Sequence, residues 1–185
     1  MVTQDIKIKK TLLIFSDNAK SRSPLYNTLQ LHTWLREALY CAESFLLDSG
    51  KGGLALKKYS VKEIELSLTL CGVHKIKNLN SNFRGKEKAT DVLSFPIYDT
   101  LRPDSSHWVK PGRVVNLGDI FICREVALRQ SKEFNVTLEE EILHLFIHGL
   151  LHLCGFDHEI SEKEEAIMCE HEDMLVKQIS DRLKR

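Results

Sequence analysis

The residues of this chain best suited to chemistry lie in HLFIHGLLHLCGFDHE, His144 to Glu159, which sets four histidines, two glycines and an aspartate into an otherwise apolar run. Residues i and i+4 of an α-helix share a face, about 40° apart around the axis and roughly 6 Å along it. The imidazoles of His148 and His152 can therefore converge on one ion. His158 follows six residues later, and a continued helix, at about 100° per residue, would turn it to another face. Gly155 resolves this, because glycine ends a helix in the left-handed conformation without a Cβ penalty. The pattern H-x-x-x-H-x-x-G-x-x-H thus builds a three-nitrogen site, with two ligands from the helix and one from the turn. Three histidines suit a single zinc ion (Zn2+) and leave a fourth position open to water.

One histidine on an apolar helix is more often a packed core residue than a ligand. Three at this spacing, with glycine at the turn, are not explained by packing, since a buried imidazole costs free energy unless it has a partner. His144, one turn before His148, is read as a support to the ligands or a core residue, because ligand atoms spread over two helical turns converge poorly. Asp157 either orients an imidazole, contacts the water, or caps the turn. His171 carries no site assignment. Metzincin proteases share the ligand spacing but have a glutamate as general base directly after the first histidine; here that position is Gly149, which argues against peptide hydrolysis. A metal ion alone can still lower the pKa of a coordinated water from about 15.7 to about 7. Glycine inside a helix costs about 1 kcal/mol relative to alanine, so the missing side chain of Gly149 is expected to leave room for substrate or backbone beside the metal.

The elements that must position these residues follow from apolar periodicity. TLLIFSD (Thr11 to Asp17) reads as a short buried strand, NAKSRSPLYN as a loop, and Leu29 to Leu47 as a helix ended by DSGKGG. EIELSLTL alternates like a half-exposed strand, with Ile64, Leu66, Leu68 and Leu70 on one face. GVHKIKNLNSNFRG is expected to form a short helix and loop. DVLSFPI is strand-like, with Pro96 at an edge or a strand end. Asp99 to Gly112 is a polar loop, and RVVNLGDIFI is a strand that Gly118 interrupts as a bulge. Three helices follow, at about 123–134, 137–154 and 161–182, the second opened by a Thr137/Glu140 capping box. The expected fold class is α+β: a mixed β-sheet packed with helices, the metal site on a C-terminal helix and the turn after it.

At 185 residues, 43% hydrophobic and 28% charged, the chain has the makeup of one soluble domain spanning 1–185. Its five cysteines form no C-x-x-C pair and point to reduced thiols. The longest apolar run near the start is LLIF, too short for a membrane span or a signal-peptide core, so a cytoplasmic location with no membrane association is expected. Formal net charge is zero but unevenly spread: residues 73–88 carry five basic groups and one acidic, residues 139–173 eleven acidic groups and one lysine. The acidic run is read as a solvated face.

HGLLHLCGFDH resembles the signature of the YbeY family, the metal-dependent endoribonucleases of ribosomal RNA maturation. LNSNFRGKEKATDVLSFP (Leu79 to Pro96), LGDIFI and EEAIMCEHEDML resemble that family's other blocks in the same order, from roughly residue 61 to 176. The departures are peripheral, around 50–53 and in the loop 99–112. The resemblance implies a mixed sheet packed with helices. It implies metal ligands at His148, His152 and His158 and a functional arginine at Arg84, where a guanidinium can grip phosphate oxygens through two parallel hydrogen bonds. Lys75, Lys77, Lys86 and Lys88 would hold flanking phosphates. Read from residues alone, without the resemblance, Arg84 is a surface salt-bridge partner, and Asp91 and Asp119 are residues that pin loops and strand ends. The activity implied is a zinc-dependent, single-strand-specific endoribonuclease acting at the 3′ end of small-subunit ribosomal RNA and in ribosome quality control. Small-subunit proteins and a ribosome-assembly GTPase are its implied partners. Two alternatives are a metal-dependent hydrolase of another substrate such as a peptide, and a ribosome-assembly binding protein whose metal is structural. The open ligand position argues against the latter, since structural zinc is usually closed by four protein ligands.

Overall fold

A computed structural model describes residues 2–17, 27–48 and 53–184. The expected loop NAKSRSPLYN, apart from Asn27, and most of the DSGKGG stretch lie outside the described residues. A five-stranded sheet runs in the order β1-β2-β3-β5-β4. Its strands are β1 (Val2–Ile8), β2 (Thr11–Asp17), β3 (Glu63–Cys71), β4 (Val92–Pro96) and β5 (Val114–Cys123). The outer pairs β1/β2 and β4/β5 are antiparallel, while β2/β3 and β3/β5 are parallel. The helices are α1 (Thr28–Leu47), α2 (Val73–Arg84), α3 (Arg124–Glu133), α4 (Leu138–Leu153) and α5 (Glu162–Leu183). This is the α+β arrangement with a mixed sheet that the periodicity implies.

Each expected element among the described residues is present. β3 buries Ile64, Leu66, Leu68 and Leu70 as its alternation requires. Pro96 closes the edge strand β4, where its missing N–H costs no ladder bond. The ladder between β3 and β5 slips between Glu65 and Ser67, opposite Gly118. Gly118 sits at φ +121°, and a Cβ there would stand 3.1 Å from the Phe95 carbonyl carbon, so the bulge and the approach of β4 share one cause. The Thr137 capping box on α4 is formed: its hydroxyl accepts from the Glu140 N–H, and the Glu140 carboxylate accepts from the Thr137 N–H.

Strand β1 and its hairpin were not expected. The two-residue turn at Lys9 and Lys10 holds Lys9 at φ 34°. It is secured from a distance: the buried Glu43 carboxylate on α1 accepts from the Lys10 N–H at 2.8 Å and the Thr11 hydroxyl at 2.9 Å.

Helix α4 is the centre of the molecule. It packs on β4 and β5 and touches α1, α3 and α5, and apolar residues all round its axis are buried. Its four residues that are not buried are Glu140, His144, His148 and His152. They follow one another every four positions, so they form one polar stripe along the helix. The sheet and the surrounding helices fix that stripe in place.

Candidate metal centre

The α4 stripe ends in the turn that carries His158. Cys154 caps the helix and Gly155 follows at φ +91°. The Gly155 N–H donates to the His152 carbonyl at 3.0 Å, and the Phe156 N–H donates to the Leu151 carbonyl at 3.1 Å. These are the two reversed bonds of a Schellman motif, and its apolar clasp is formed by Leu151 and Phe156, both in the core. A second constraint acts on Gly155: a Cβ there would stand 2.6 Å from Thr100 Cα, in the loop whose Leu101 N–H donates to the Cys154 carbonyl at 3.1 Å. Glycine is required for conformation and for space. Asp157 caps this turn, accepting from the Glu159 N–H at 2.9 Å.

The turn brings the three rings together. Ring centroids are 4.7 Å apart for His148 and His152 and 5.2 Å for each of the other two pairs. One ring nitrogen of each histidine lies within 4.8 Å of the others, so the three form a group able to hold one metal ion. His148 Nδ1 is 3.1 Å from Glu172 Oε1 on α5, and His148 Nε2 is 3.1 Å from His152 Nε2. With its Nδ1–H given to the carboxylate, His148 presents a bare lone pair on Nε2. Two facing lone pairs need a proton or a cation between them. Ligand nitrogens about 2.0–2.1 Å from a tetrahedral ion would stand roughly 3.3 Å apart, close to the spacing found. Burial, reinforced by the neighbouring His148 and His158 rings, lowers the His152 pKa to about 4. At neutral pH this ring holds no second proton that a metal would have to displace. The donor set fits a divalent cation.

His144 and His171 stand outside this group. His144 is half-exposed and 3.5 Å from Glu172. His171 packs between Phe45 and Phe156, and burial lowers its pKa. Gly149 departs from expectation. A Cβ at this position would meet Ile120 Cγ2 at 2.9 Å and Ser94 Oγ at 3.0 Å. The missing side chain lets α4 lie close on β4 and β5; it does not open space beside the metal group.

Arg84 is the last residue of α2, and Gly85 turns the chain behind it at φ +65°. Buried Asn80 secures the following loop by donating to the Lys88 carbonyl at 2.7 Å. The Arg84 guanidinium donates to both carboxylate oxygens of Glu159, at 3.2 and 3.3 Å. The fold thus ties Arg84 to the residue next to His158, 75 positions away in sequence. Asp91 and Asp119 do pin structure: Asp91 accepts from Val92, Thr90 and Gln130, and Asp119 accepts from Ser67.

The family model described as Endoribonuclease YbeY matches residues 52–180, a span that holds all three histidines and Arg84. The chain belongs to the YbeY endoribonuclease family. Among curated relatives, the endoribonuclease YbeY of Persephonella marina is 39% identical over 130 residues, 70% of this chain and 80% of that protein. The chloroplastic endoribonuclease YBEY of Arabidopsis thaliana is 40% identical over 140 residues, 69% of this chain but 22% of the longer plant protein. The solution structure of TM1509 from Thermotoga maritima superposes with a TM-score of 0.53 at 26% identity, covering 92% of this chain and 91% of that one. The YbeY match extends beyond both ends of the resemblance read from the motifs.

Sequence reasoning missed Glu172 and Glu159. Glu172 lies in the EEAIMCEHEDML helix that was matched as a block, but nothing in an acidic helix marks which carboxylate turns inward. Partial burial raises its pKa, yet its contacts with the facing histidines, the His148 hydrogen bond first among them, outweigh burial and hold it below the usual carboxylate range.

Proposed function

We propose that this chain is a metal-dependent endoribonuclease specific for single-stranded RNA, with His148, His152 and His158 holding one zinc ion and Arg84 stabilising the transition state. The observation that carries the reading is the joining of two features: three imidazole nitrogens converge at the end of α4, and Arg84 is tethered to the same turn through Glu159. When bound, the ion supplies Lewis-acid chemistry to water and phosphate. The protein does the rest. Glu172 orients His148 by accepting its Nδ1–H. The Schellman turn holds His158 against the α4 pair. Arg84 meets the charge that builds on non-bridging phosphate oxygens. Its present partner Glu159 is exposed, and such pairs contribute only about 0–1 kcal/mol, so a phosphate displaces the carboxylate at little cost.

Gly149 offers no carboxylate base, and its Cα faces the sheet, which disfavours peptide hydrolysis. Ribosomal RNA is the substrate, at the 3′ end of the small-subunit RNA and in ribosome quality control, as the family resemblance implies. Small-subunit proteins and a ribosome-assembly GTPase are the partners inferred on the same ground. Action in the cytoplasm is inferred from the ribosomal RNA substrate; no helix among the described residues is long and apolar enough to cross a membrane. A core running from Ile6 to Ile179 supports one domain over residues 1–185.

Arg84→Ala tests the assignment. A transition-state role predicts a single-turnover cleavage rate lower by about 10²–10³ at saturating RNA, with metal content and melting temperature unchanged. Arg84→Lys should recover part of that, since it keeps the charge and loses the planar fork. Weaker RNA binding with an intact saturated rate would reduce Arg84 to a phosphate contact.

A further inference from the structure

Phe83, near the end of α2, is 68% exposed, although it is one of the largest apolar side chains of the chain. Single exposed apolar residues are common and carry no message alone. Phe83 differs in its surroundings. It precedes Arg84, and Arg84 pairs with Glu159, which precedes Ile160, itself 69% exposed. The ion pair that ties α2 to the histidine turn is thus flanked in sequence, on both strands of the contact, by a large apolar side chain left in water.

The ring is also braced. Phe83 meets Phe95 of β4 edge-on, with centroids 5.0 Å apart and planes at 68°. Phe95 meets Phe121 of β5 edge-on at 5.7 Å, and the Lys75 ammonium lies 5.9 Å from the Phe121 centroid. This ladder holds Phe83 from below while most of its surface remains free. The exposed basic side chains of the same segment, Lys75, Lys77, Arg84, Lys86 and Lys88, supply charge complementary to a phosphate backbone. A fixed aromatic face on a segment rich in exposed cations suits a single-stranded nucleic acid, since every base has a π-face to stack and every linkage a charge to neutralise.

We propose that Phe83 is a base-stacking platform that seats one nucleobase of single-stranded RNA beside Arg84, and so sets which phosphodiester linkage reaches the metal group. The proposal rests on the ribonuclease reading above and adds a positioning residue to it. Stacking needs an unpaired base, so the platform gives a physical reason for preferring single strands over duplex.

The test is a titration of the metal-loaded protein with a short fluorescein-labelled single-stranded RNA, alongside cleavage of the same RNA. Phe83→Ala should weaken binding roughly 5- to 150-fold, the range that one stacked base commands. The slope of affinity against salt should not change, since no phosphate contact is lost. Phe83→Leu, which keeps an apolar contact to Phe95 but has no ring, should bind nearly as weakly as the alanine variant, and Phe83→Trp should bind as tightly as the parent. A series of RNAs carrying one abasic nucleotide should show one position where the parent loses affinity and Phe83→Ala loses no more. Binding by Phe83→Ala equal to the parent, or an abasic penalty at every position that persists in the variant, overturns the platform. So does a change in self-association without a change in RNA affinity, which would make this face a protein contact. A parent protein that neither binds nor cleaves the RNA removes the ribonuclease reading itself; one that does both, with Phe83→Ala unchanged, removes only the platform.

Discussion

Replacing Gly149 with alanine sets two known effects against each other. An alanine in the interior of α4 favours the helix by about 1 kcal/mol over glycine. Its methyl, however, would stand 2.9 Å from Ile120 Cγ2, 3.0 Å from Ser94 Oγ and 3.2 Å from Ile120 Cδ1, where carbon atoms pack comfortably at about 3.5–4.0 Å. Ser94 can rotate its hydroxyl, but Ile120 is fully buried in β5 and cannot yield without moving the strand. Overpacking of this kind costs about 1–3 kcal/mol. The net expectation is a loss of about 1 kcal/mol, or about 2–4 °C in melting temperature for a chain of this size. Thermal unfolding of the single variant, and of Ile120→Ala with and without it, measures both the cost and its source. Ile120→Ala should cost less when residue 149 is alanine, because the cavity then receives the methyl. If Gly149→Ala raised the melting temperature, propensity would have won and the close contact of α4 with the sheet would not be what excludes a side chain. Gly149→Glu would recreate H-E-x-x-H in sequence, yet its carboxylate would start between Ile120 and Ser94. It should unfold the helix–sheet contact and abolish RNA cleavage without producing a peptidase, and efficient peptide hydrolysis by this variant would contradict the geometry.

Three further outcomes follow from the site. Glu172→Gln should weaken metal affinity about 10–100-fold, as loss of a ligand-orienting carboxylate typically does; competition with a chelator reads this directly, and an unchanged affinity would deny Glu172 that role. Gly155→Ala forces an L-residue into a left-handed backbone and against Thr100, at a combined cost of about 2–5 kcal/mol, and urea unfolding should show it. Burial pushes the Asp91 carboxyl up, but hydrogen bonds from Gln130, Val92 and Thr90 outweigh it and hold its pKa below the ordinary value. The folded state therefore binds the Asp91 proton less readily than the unfolded chain. The stability this gives is present above about pH 4 and is lost as pH falls through the lower folded pKa. Asp91→Asn should be less stable than the parent at neutral pH, and the gap should narrow below about pH 4; a gap independent of pH would mean that the carboxylate charge is not involved.

The helical half of the chain was legible because its signals are local. Thr137 and Glu140 are three residues apart, Gly155 acts on its own backbone, and the histidine stripe repeats every four residues, so each reports its structure without knowledge of the rest. β3 was legible because its period of two is clean. β1 was not. Its apolar content is one valine and two isoleucines among polar residues, and its hairpin turn has neither glycine nor asparagine. The turn is held by Glu43, whose carboxylate arrives from α1 more than thirty residues later. Glu172 and Glu159 were missed for a related reason. One carboxylate among the eleven acidic residues of that segment becomes distinctive only when the fold sets it against His148 or Arg84. The cause assigned to Gly149 was wrong because a helix glycine shows in sequence that space is needed, but only the packed sheet shows on which side.

Everything proposed for the site depends on His148, His152 and His158 together holding a metal ion. Elemental analysis of the protein purified without chelator, with His152→Ala in parallel, tests it most directly. About one equivalent of metal per chain is expected for the parent, since a single group of three nitrogens can take one ion, and most of it should be gone from the variant. Metal retained in full by His152→Ala would contradict the claim.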